Sequence, residues 1–320
     1  MQSTKNLVIG IDIGGTNTVF GLVNKDGKIL SRGTISTTTT SEVNEYIDLL
    51  YNAVQPEIMK MGGPEMFCGI GIGAPNGNFY KGTIEYAPNL KWQKGIIPFA
   101  SLMEQKFGIP SYLTNDANAA AIGEMKYGAA KNMKDFIMIT LGTGVGSGIV
   151  ANGSLIYGHD GFAGEMGHMT VLPGGRKHWS TGAFGPLEAY ASATGVRLTA
   201  IEFLASGKFK GSLLEKHPNE EINSKLIFEY AEKGDVLCLE VFRVTGEILG
   251  LALANAVMFS SPEAIFLFGG LCDAGDMLMK PVKESMEKNL IPVFQNKVHL
   301  IFSELKQSDA AILGASALAW

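Results

Sequence analysis

The sequence predicts an α/β protein folded as two related domains, and three observations carry that prediction. Strand-like and helical patterns alternate along 320 residues, a length sufficient for two domains of ordinary size. Two passages about 130 residues apart follow one plan: an apolar strand, a glycine- and threonine-rich bend, and a returning strand. No low-complexity linker separates them. The junction is therefore expected near Tyr112–Asn115, between a smaller domain over 1–114 and a larger one over 115–307.

The first passage reads Leu7-Val-Ile-Gly-Ile-Asp12-Ile-Gly14-Gly15-Thr16-Asn17, continues through Val19–Val23, and turns at Asp26-Gly27 into Ile29-Leu30. An Asp-Gly pair between alternating runs marks a hairpin. The second reads Phe136-Ile-Met-Ile-Thr-Leu141-Gly142-Thr143-Gly144-Val-Gly146, then Ser147–Val150, and turns at Asn152-Gly153. Between the passages, Val43, Tyr46, Ile47, Leu50 and Val54 keep helical spacing, with Thr40 or Ser41 as the expected cap. An alanine-rich helix is predicted over 116–127, directly after Asn115. Further helical patterns run through about 221–233, 236–259 and 274–289. A final one over 308–320 is expected to fold back onto the first domain.

Composition excludes several classes of function. With 46% hydrophobic and 18% charged residues the chain reads as globular. A net charge of −5 with scattered Lys and Arg gives no footprint for nucleic acid or an anionic membrane. The N-terminal residues lack the apolar core of a secretory leader. The longest apolar run, Ile248–Phe259, falls short of the roughly 20 residues a bilayer needs. A cytoplasmic location is expected. Cys68, Cys238 and Cys272 lie too far apart for a C-x-x-C metal pair, and read as reduced thiols.

The two bends carry the chemistry. Successive backbone N–H groups in a glycine-rich turn can surround a polyphosphate, because no Cβ blocks the approach. Two such bends in register suit a nucleotide better than either does alone. Asp12 lies just before the first bend, placed to orient Mg²⁺ through water. Competing phosphate signatures are absent. Gly27-Lys28 and Gly207-Lys208 are not followed by Ser or Thr, so there is no P-loop. Both bends return as strands, unlike a dinucleotide fingerprint, which opens a helix. Asp116 opens a helix behind the strand Pro110–Thr114; it could be a plain N-cap or the acceptor of a hydroxyl proton. Glu165, His168 and Glu188 form a second polar group whose donors and acceptors suit a polyol.

Five motifs make the reading specific. Asp12-Ile-Gly-Gly-Thr16-Asn17, Asn115-Asp116-Ala-Asn-Ala-Ala, Leu141-Gly-Thr-Gly-Val-Gly146, Gly164-Glu165-Met-Gly-His168 and Phe268-Gly269-Gly270 occur in the order of the ROK family. Over essentially its whole length the chain resembles that family, and within it the bacterial glucokinase branch. The resemblance implies two actin-like ATPase (ribonuclease H-like) domains with a cleft between them. It implies ATP-dependent phosphorylation of a hexose, glucose at the 6-hydroxyl, with Asp116 as general base. Gly14, Gly15, Thr16 and Asn17 would bind phosphate together with Gly142, Thr143 and Gly144, while Gly269 and Gly270 would lie against adenosine. Asn115, Glu165, His168 and Glu188 would contact the sugar, with Gly77, Asn78 and Asn89 adding contacts from the smaller domain. ATP and Mg²⁺ are the implied cofactors and a homodimer the implied assembly. Glucose, N-acetylglucosamine, mannose, fructose and N-acetylmannosamine remain open as acceptors.

One departure stands out. The family commonly holds a structural zinc ion with the His of the Gly164–His168 motif and three cysteines. Here Trp179, Thr181 and Pro186 occupy the cysteine positions. Two histidines, His168 and His178, make a poor structural zinc site without thiolates, so no zinc is expected. Trp179 and Phe184 are expected to order the loop by packing. Three rival readings are weighed against a kinase. A repressor needs an added DNA-binding domain, and about six residues before the first strand leave no room for one. A non-catalytic sugar- or nucleotide-binding regulator has no need of Asp12 and Asp116. A non-sugar ATPase has no need of the Glu165/His168/Glu188 group.

Overall fold

The computed structural model describes residues 5–92 and 94–320, the side chains of Gln307 and Ser308 excepted. The leader expectation falls partly on residues 1–4, outside that range. The chain begins with β1 (Leu7–Ile13), β2 (Asn17–Asn24), β3 (Ile29–Ser36) and α1 (Val43–Lys60). Then come β4 (Phe67–Gly73), three short strands β5 (Gly77–Asn78), β6 (Thr83–Glu85) and β7 (Ile96–Ile97), α2 (Phe99–Phe107), β8 (Ser111–Thr114) and α3 (Asp116–Tyr127). The repeat starts at β9 (Phe136–Leu141), β10 (Val145–Ala151) and β11 (Ser154–Leu155). Helices α4 (Glu188–Ala191), α5 (Ala193–Ser206), α6 (Ser224–Glu232) and α7 (Val236–Ser260) follow. The chain closes with β12 (Ala264–Phe268), α8 (Asp276–Asn289), β13 (His299–Phe302) and α9 (Gln307–Ala317).

Both large sheets have the same topology. The first is ordered β3-β2-β1-β4-β8 and the second β11-β10-β9-β12-β13. In the first, β1 pairs antiparallel with β2 and parallel with β4, which pairs parallel with β8. In the second, β12 pairs parallel with both β9 and β13. The duplicated plan seen in the sequence is thus a duplicated sheet order. Both expected turns form. Gly27 has φ +79° between β2 and β3, and Asn152-Gly153 has φ values of +51° and +74° between β10 and β11, the pair of positive dihedrals that suits a tight hairpin.

Strands β1 and β4 are buried along almost their whole length, as expected for parallel strands covered on both faces. Helix α1 places Tyr46, Ile47, Leu50, Val54 and Ile58 in the core of the first unit. Its N-cap is Glu42 and carries no side-chain cap bond, so neither Thr40 nor Ser41 takes that role. Helix α9 packs on β1 and β4 through glycines: a Cβ on Gly71 would stand 1.9 Å from the Ala315 carbonyl oxygen, and one on Gly10 2.1 Å from that of Ile312. The close approach that glycine permits here holds the final helix on the first sheet.

The chain forms two compact units. The first runs to Lys134 and includes Gly148–Gly164 and Ser303–Trp320; the second takes Asp135–Ser147 and Glu165–Phe302. The division at 114/115 differs from this over residues 115–134, which hold α3, over 148–164 and over 303–307. Helix α3 packs on α9 and β4, with Gly123 against Gly314, and Gly148 lies against Ala117 and Ala121 of α3. No helix among the described residues is long and apolar enough to cross a membrane.

Candidate active site

In the first unit, three parallel strands deliver the candidate residues to one edge. Register pairs Asp12 with Gly73 and Gly73 with Thr114, so the carboxyl ends of β1, β4 and β8 align. Open α/β sheets place ligands at this edge. The chain leaves β1 through the Gly14–Asn17 bend, closed by the Gly14 N–H donating to the Asn17 carbonyl at 3.0 Å. The bend is braced from below. Thr37 N–H donates to the Thr16 carbonyl, and the buried Thr18 hydroxyl lies 2.6 Å from the Tyr46 hydroxyl and 2.8 Å from that of Thr37. Thr16 and Asn17 themselves are exposed.

Thr114 leads directly into Asn115 and Asp116. Asn115 is the N-cap of α3, its Oδ1 accepting from the Asn118 N–H at 2.7 Å. Capping is therefore the work of Asn115. Asp116 occupies the first helical position, exposed, with Oδ1 accepting from the Ala117 N–H at 2.8 Å. The helix dipole favours its ionised form. Asp12 is partly enclosed, and its carboxyl is pushed up to about 7, first by desolvation and second by the Asp116 carboxylate. Gly73 lies between them: a Cβ there would stand 3.2 Å from Asp12 Oδ1 and 3.8 Å from the Asp116 backbone. Two carboxylates that raise one another's cost of ionisation fit a divalent cation, which would remove that cost. Asp12 is the residue that would hold Mg²⁺.

The remaining sugar candidates of this unit divide. Asn89 is exposed, on a segment anchored by buried Leu90 and Trp92, and lies beside Gly15. Gly77 is buried against the Thr114 carbonyl. Asn78 is 0% exposed; its Nδ2 donates to the Asp160 carbonyl, and its Oδ1 accepts from the N–H groups of Tyr80 and Lys81. That amide ties two loops together. Asn78 departs in this respect from the sugar-contacting role the resemblance implies, because its oxygen is already taken by the backbone.

In the second unit the same edge carries the other bend. The Gly142 N–H donates to the Gly144 carbonyl at 3.0 Å, and the Gly142 carbonyl accepts from the Ala193 N–H at 2.8 Å. Nothing lies within 4 Å of a would-be Cβ on Gly142 or Gly270, so both face open space. Gly269, with φ +113°, approaches the Leu141 carbonyl and brings the end of β12 beside this bend. Glycine backbone open to solvent at a strand end fits a nucleotide's phosphates.

Glu188 is joined to the bend: Oε2 accepts from the Val145 N–H at 2.7 Å, and a Cβ on Gly144 would come within 2.3 Å of that oxygen. Glu165 and His168 are exposed, with 3.9 Å between Glu165 Oε2 and His168 Nε2. The loop before Glu188 is ordered only in part as expected: Trp179 stacks on His178 within it, while Trp179 and Phe184 stay 47% and 56% exposed and neither anchors it to the core. Arg176 does so, bonding the Ala189 and Gly195 carbonyls, Thr199 and Glu202, and buried His178 does so from the other end. Sequence reading missed Gly73 and the anchoring of Glu188, and took His178 only as a histidine without zinc-binding thiolates. The replaced cysteines flanking His178 were the one available signal. His168, His178 and Glu188 offer ligand atoms within 4.8 Å of one another, a group that could hold a metal by distance alone.

Paired sheets of identical order, each with a glycine bend beyond its first strand, define the actin-like ATPase fold. The ROK family model matches residues 8–320, and the chain belongs to the ROK family. It is 33% identical to a glucokinase of Halalkalibacterium halodurans over 96% of this chain and 92% of the relative. A ROK glucokinase from Streptomyces griseus, solved with glucose and AMPPNP, superposes with a TM-score of 0.80 at 32% identity, covering 98% of each chain. A xylose repressor of Caldicellulosiruptor bescii is 30% identical over 97% of this chain and 77% of its own length.

Proposed function

We propose that this chain is a cytoplasmic, ATP-dependent hexose kinase that phosphorylates glucose at the 6-hydroxyl. The observation that carries the reading is the Asp12/Asp116 pair at the aligned ends of β1 and β8, beside the Gly14–Asn17 bend, whose Thr16 and Asn17 are exposed. Similarity to glucokinases along nearly the whole chain supports it.

Asp116 accepts the proton of the 6-hydroxyl as the oxygen–phosphorus bond forms and the γ-phosphoryl group leaves ADP. An ionised carboxylate at a helix N-terminus is a weak base, which suffices when proton transfer is late in a loose transition state. Mg²⁺ held beside Asp12 would offset the charge on the phosphates. The bends that the Gly14 and Gly142 N–H groups close would cradle those phosphates, residues 15–17 and 143–144 supplying the donors, and Gly269-Gly270 would lie against the adenosine. Asn89, Asn115, Glu165, His168 and Glu188 bond the sugar hydroxyls, and Asn78 shapes the adjoining loop.

ADP release measured over a panel of hexoses and N-acetylhexosamines tests this. Glucose is expected to give the highest kcat/KM. A higher value with N-acetylmannosamine or fructose would keep the kinase and move the substrate. Absence of ADP release with every sugar would favour the second reading, a sugar-responsive regulator, which the xylose repressor match supports.

A further inference from the structure

The His168, His178 and Glu188 trio has the distances of a metal site, yet its hydrogen bonds describe another device. His178 is 2% exposed. The backbone N–H groups of Ser180 and Thr181 point at its Nδ1, at 3.3 and 3.2 Å, with the Ser180 hydroxyl at 3.2 Å. Two amide donors require an acceptor there, so Nδ1 carries the lone pair and Nε2 the proton. Nε2 lies 2.8 Å from Glu188 Oε1, and that proton is donated to the carboxylate. A metal on Nε2 requires the opposite tautomer, with an N–H at Nδ1 facing two other N–H groups. The donors therefore do not fit zinc, and the flanking positions Trp179, Thr181 and Pro186 supply no thiolate.

We infer that His178 is a positioning residue: its Nε2–H clamps Glu188 and fixes the carboxylate, doing by hydrogen bonds what a bound metal would otherwise do for this loop. Glu188 is then held from two sides, Oε1 by the imidazole and Oε2 by the Val145 N–H beside the second bend. Trp179 stacks on the imidazole at 4.2 Å and 27°, covering the ring. The loop closes around it through the His178 N–H to the Ala183 carbonyl and the Gly182 N–H to the His178 carbonyl. A carboxylate pinned in this way still has lone pairs for a donor hydroxyl, and its orientation no longer depends on an ion. That such a donor is a sugar hydroxyl rests on the kinase reading; the clamp itself does not.

The test uses the full-length protein and separates the two. Long-range ¹H–¹⁵N correlation of the histidine rings reports the His178 tautomer directly, and metal analysis after purification reports zinc. The clamp requires protonated Nε2, substoichiometric zinc, and an unfolding midpoint unmoved by a chelator. Protonated Nδ1, or one zinc per chain whose removal lowers the midpoint, would overturn it. Neither readout needs catalysis, so a protein inactive on every sugar still decides the matter. In the active enzyme, His178→Phe keeps an aromatic ring and removes both nitrogens. It should raise the hexose KM about tenfold or more, the effect of losing one charge-assisted hydrogen bond, with the ATP KM within about twofold. His178→Gln retains a donor toward Glu188 and should recover most of that loss. A hexose KM unchanged in His178→Phe, or raised equally in both variants, contradicts positioning through Nε2.

Discussion

Asp12 is a site residue whose protonation the fold alters strongly. In the folded, ligand-free chain its carboxyl is pushed up to about 7, against 3.8 ordinarily. Between those values the folded state holds a proton that the unfolded chain has released. That stabilisation is complete at low pH and is lost as pH rises through about 7. Asp12→Asn removes the dependence: between about pH 5 and 8, the unfolding midpoint of the ligand-free variant should fall less than that of the parent. Parallel curves would show that Asp12 does not carry the proton. Mg²⁺ must displace the same proton, so its affinity should climb with pH up to about 7 and then level off, a profile titration calorimetry can follow. Sequence alone placed Asp12 before a bend and Asp116 at a helix start. It did not reveal their mutual repulsion, which depends on Gly73 aligning β4 between them. Nor did it separate Asn78 from Asn89, since two asparagines near turns look alike until one is seen holding the Asp160 carbonyl.

At the scale of elements, two glycines make opposite predictions. A Cβ on Gly71 would collide with the Ala315 carbonyl, rigid backbone within α9. Gly71→Ala should therefore cost about 2 kcal/mol or more in urea unfolding, the range of overpacked cores. Gly142 has nothing within 4 Å of that position. Gly142→Ala should leave stability within about 0.5 kcal/mol while raising the ATP KM, because the methyl group would occupy the space proposed for phosphate. An unchanged ATP KM would remove this bend from the nucleotide site. Periodicity made the helices legible: α3 begins and ends where expected at 116 and 127, and α7 spans 236–260 against an expected 236–259. The loop over 173–187 was not legible, because its order comes from Arg176 and His178 bonding to distant backbone and side chains, and local propensity contains no trace of that.

At the scale of the molecule, the repeated sheet order was readable from two hairpins in register, but the allocation of α3 and residues 148–164 to the first unit was not. For α3 the allocation follows from its packing on α9, and for residues 148–164 from Gly148 lying against α3 and Asn78 bonding the Asp160 carbonyl, all between segments far apart in sequence. Each unit carries part of the proposed machinery: Asp12, Asn115 and Asp116 lie in the first, and Glu165, His168 and Glu188 in the second. A kinase needs both parts for one turnover, whereas a sensor needs only binding. The measurement that separates these most directly compares the parent with Asp116→Asn, following transfer from ATP to glucose by phosphorus NMR and glucose affinity by calorimetry. The account predicts glucose 6-phosphate from the parent, turnover lower by about 10²–10⁴ in the variant, and affinity within about threefold. Equal turnover in the two proteins would contradict it.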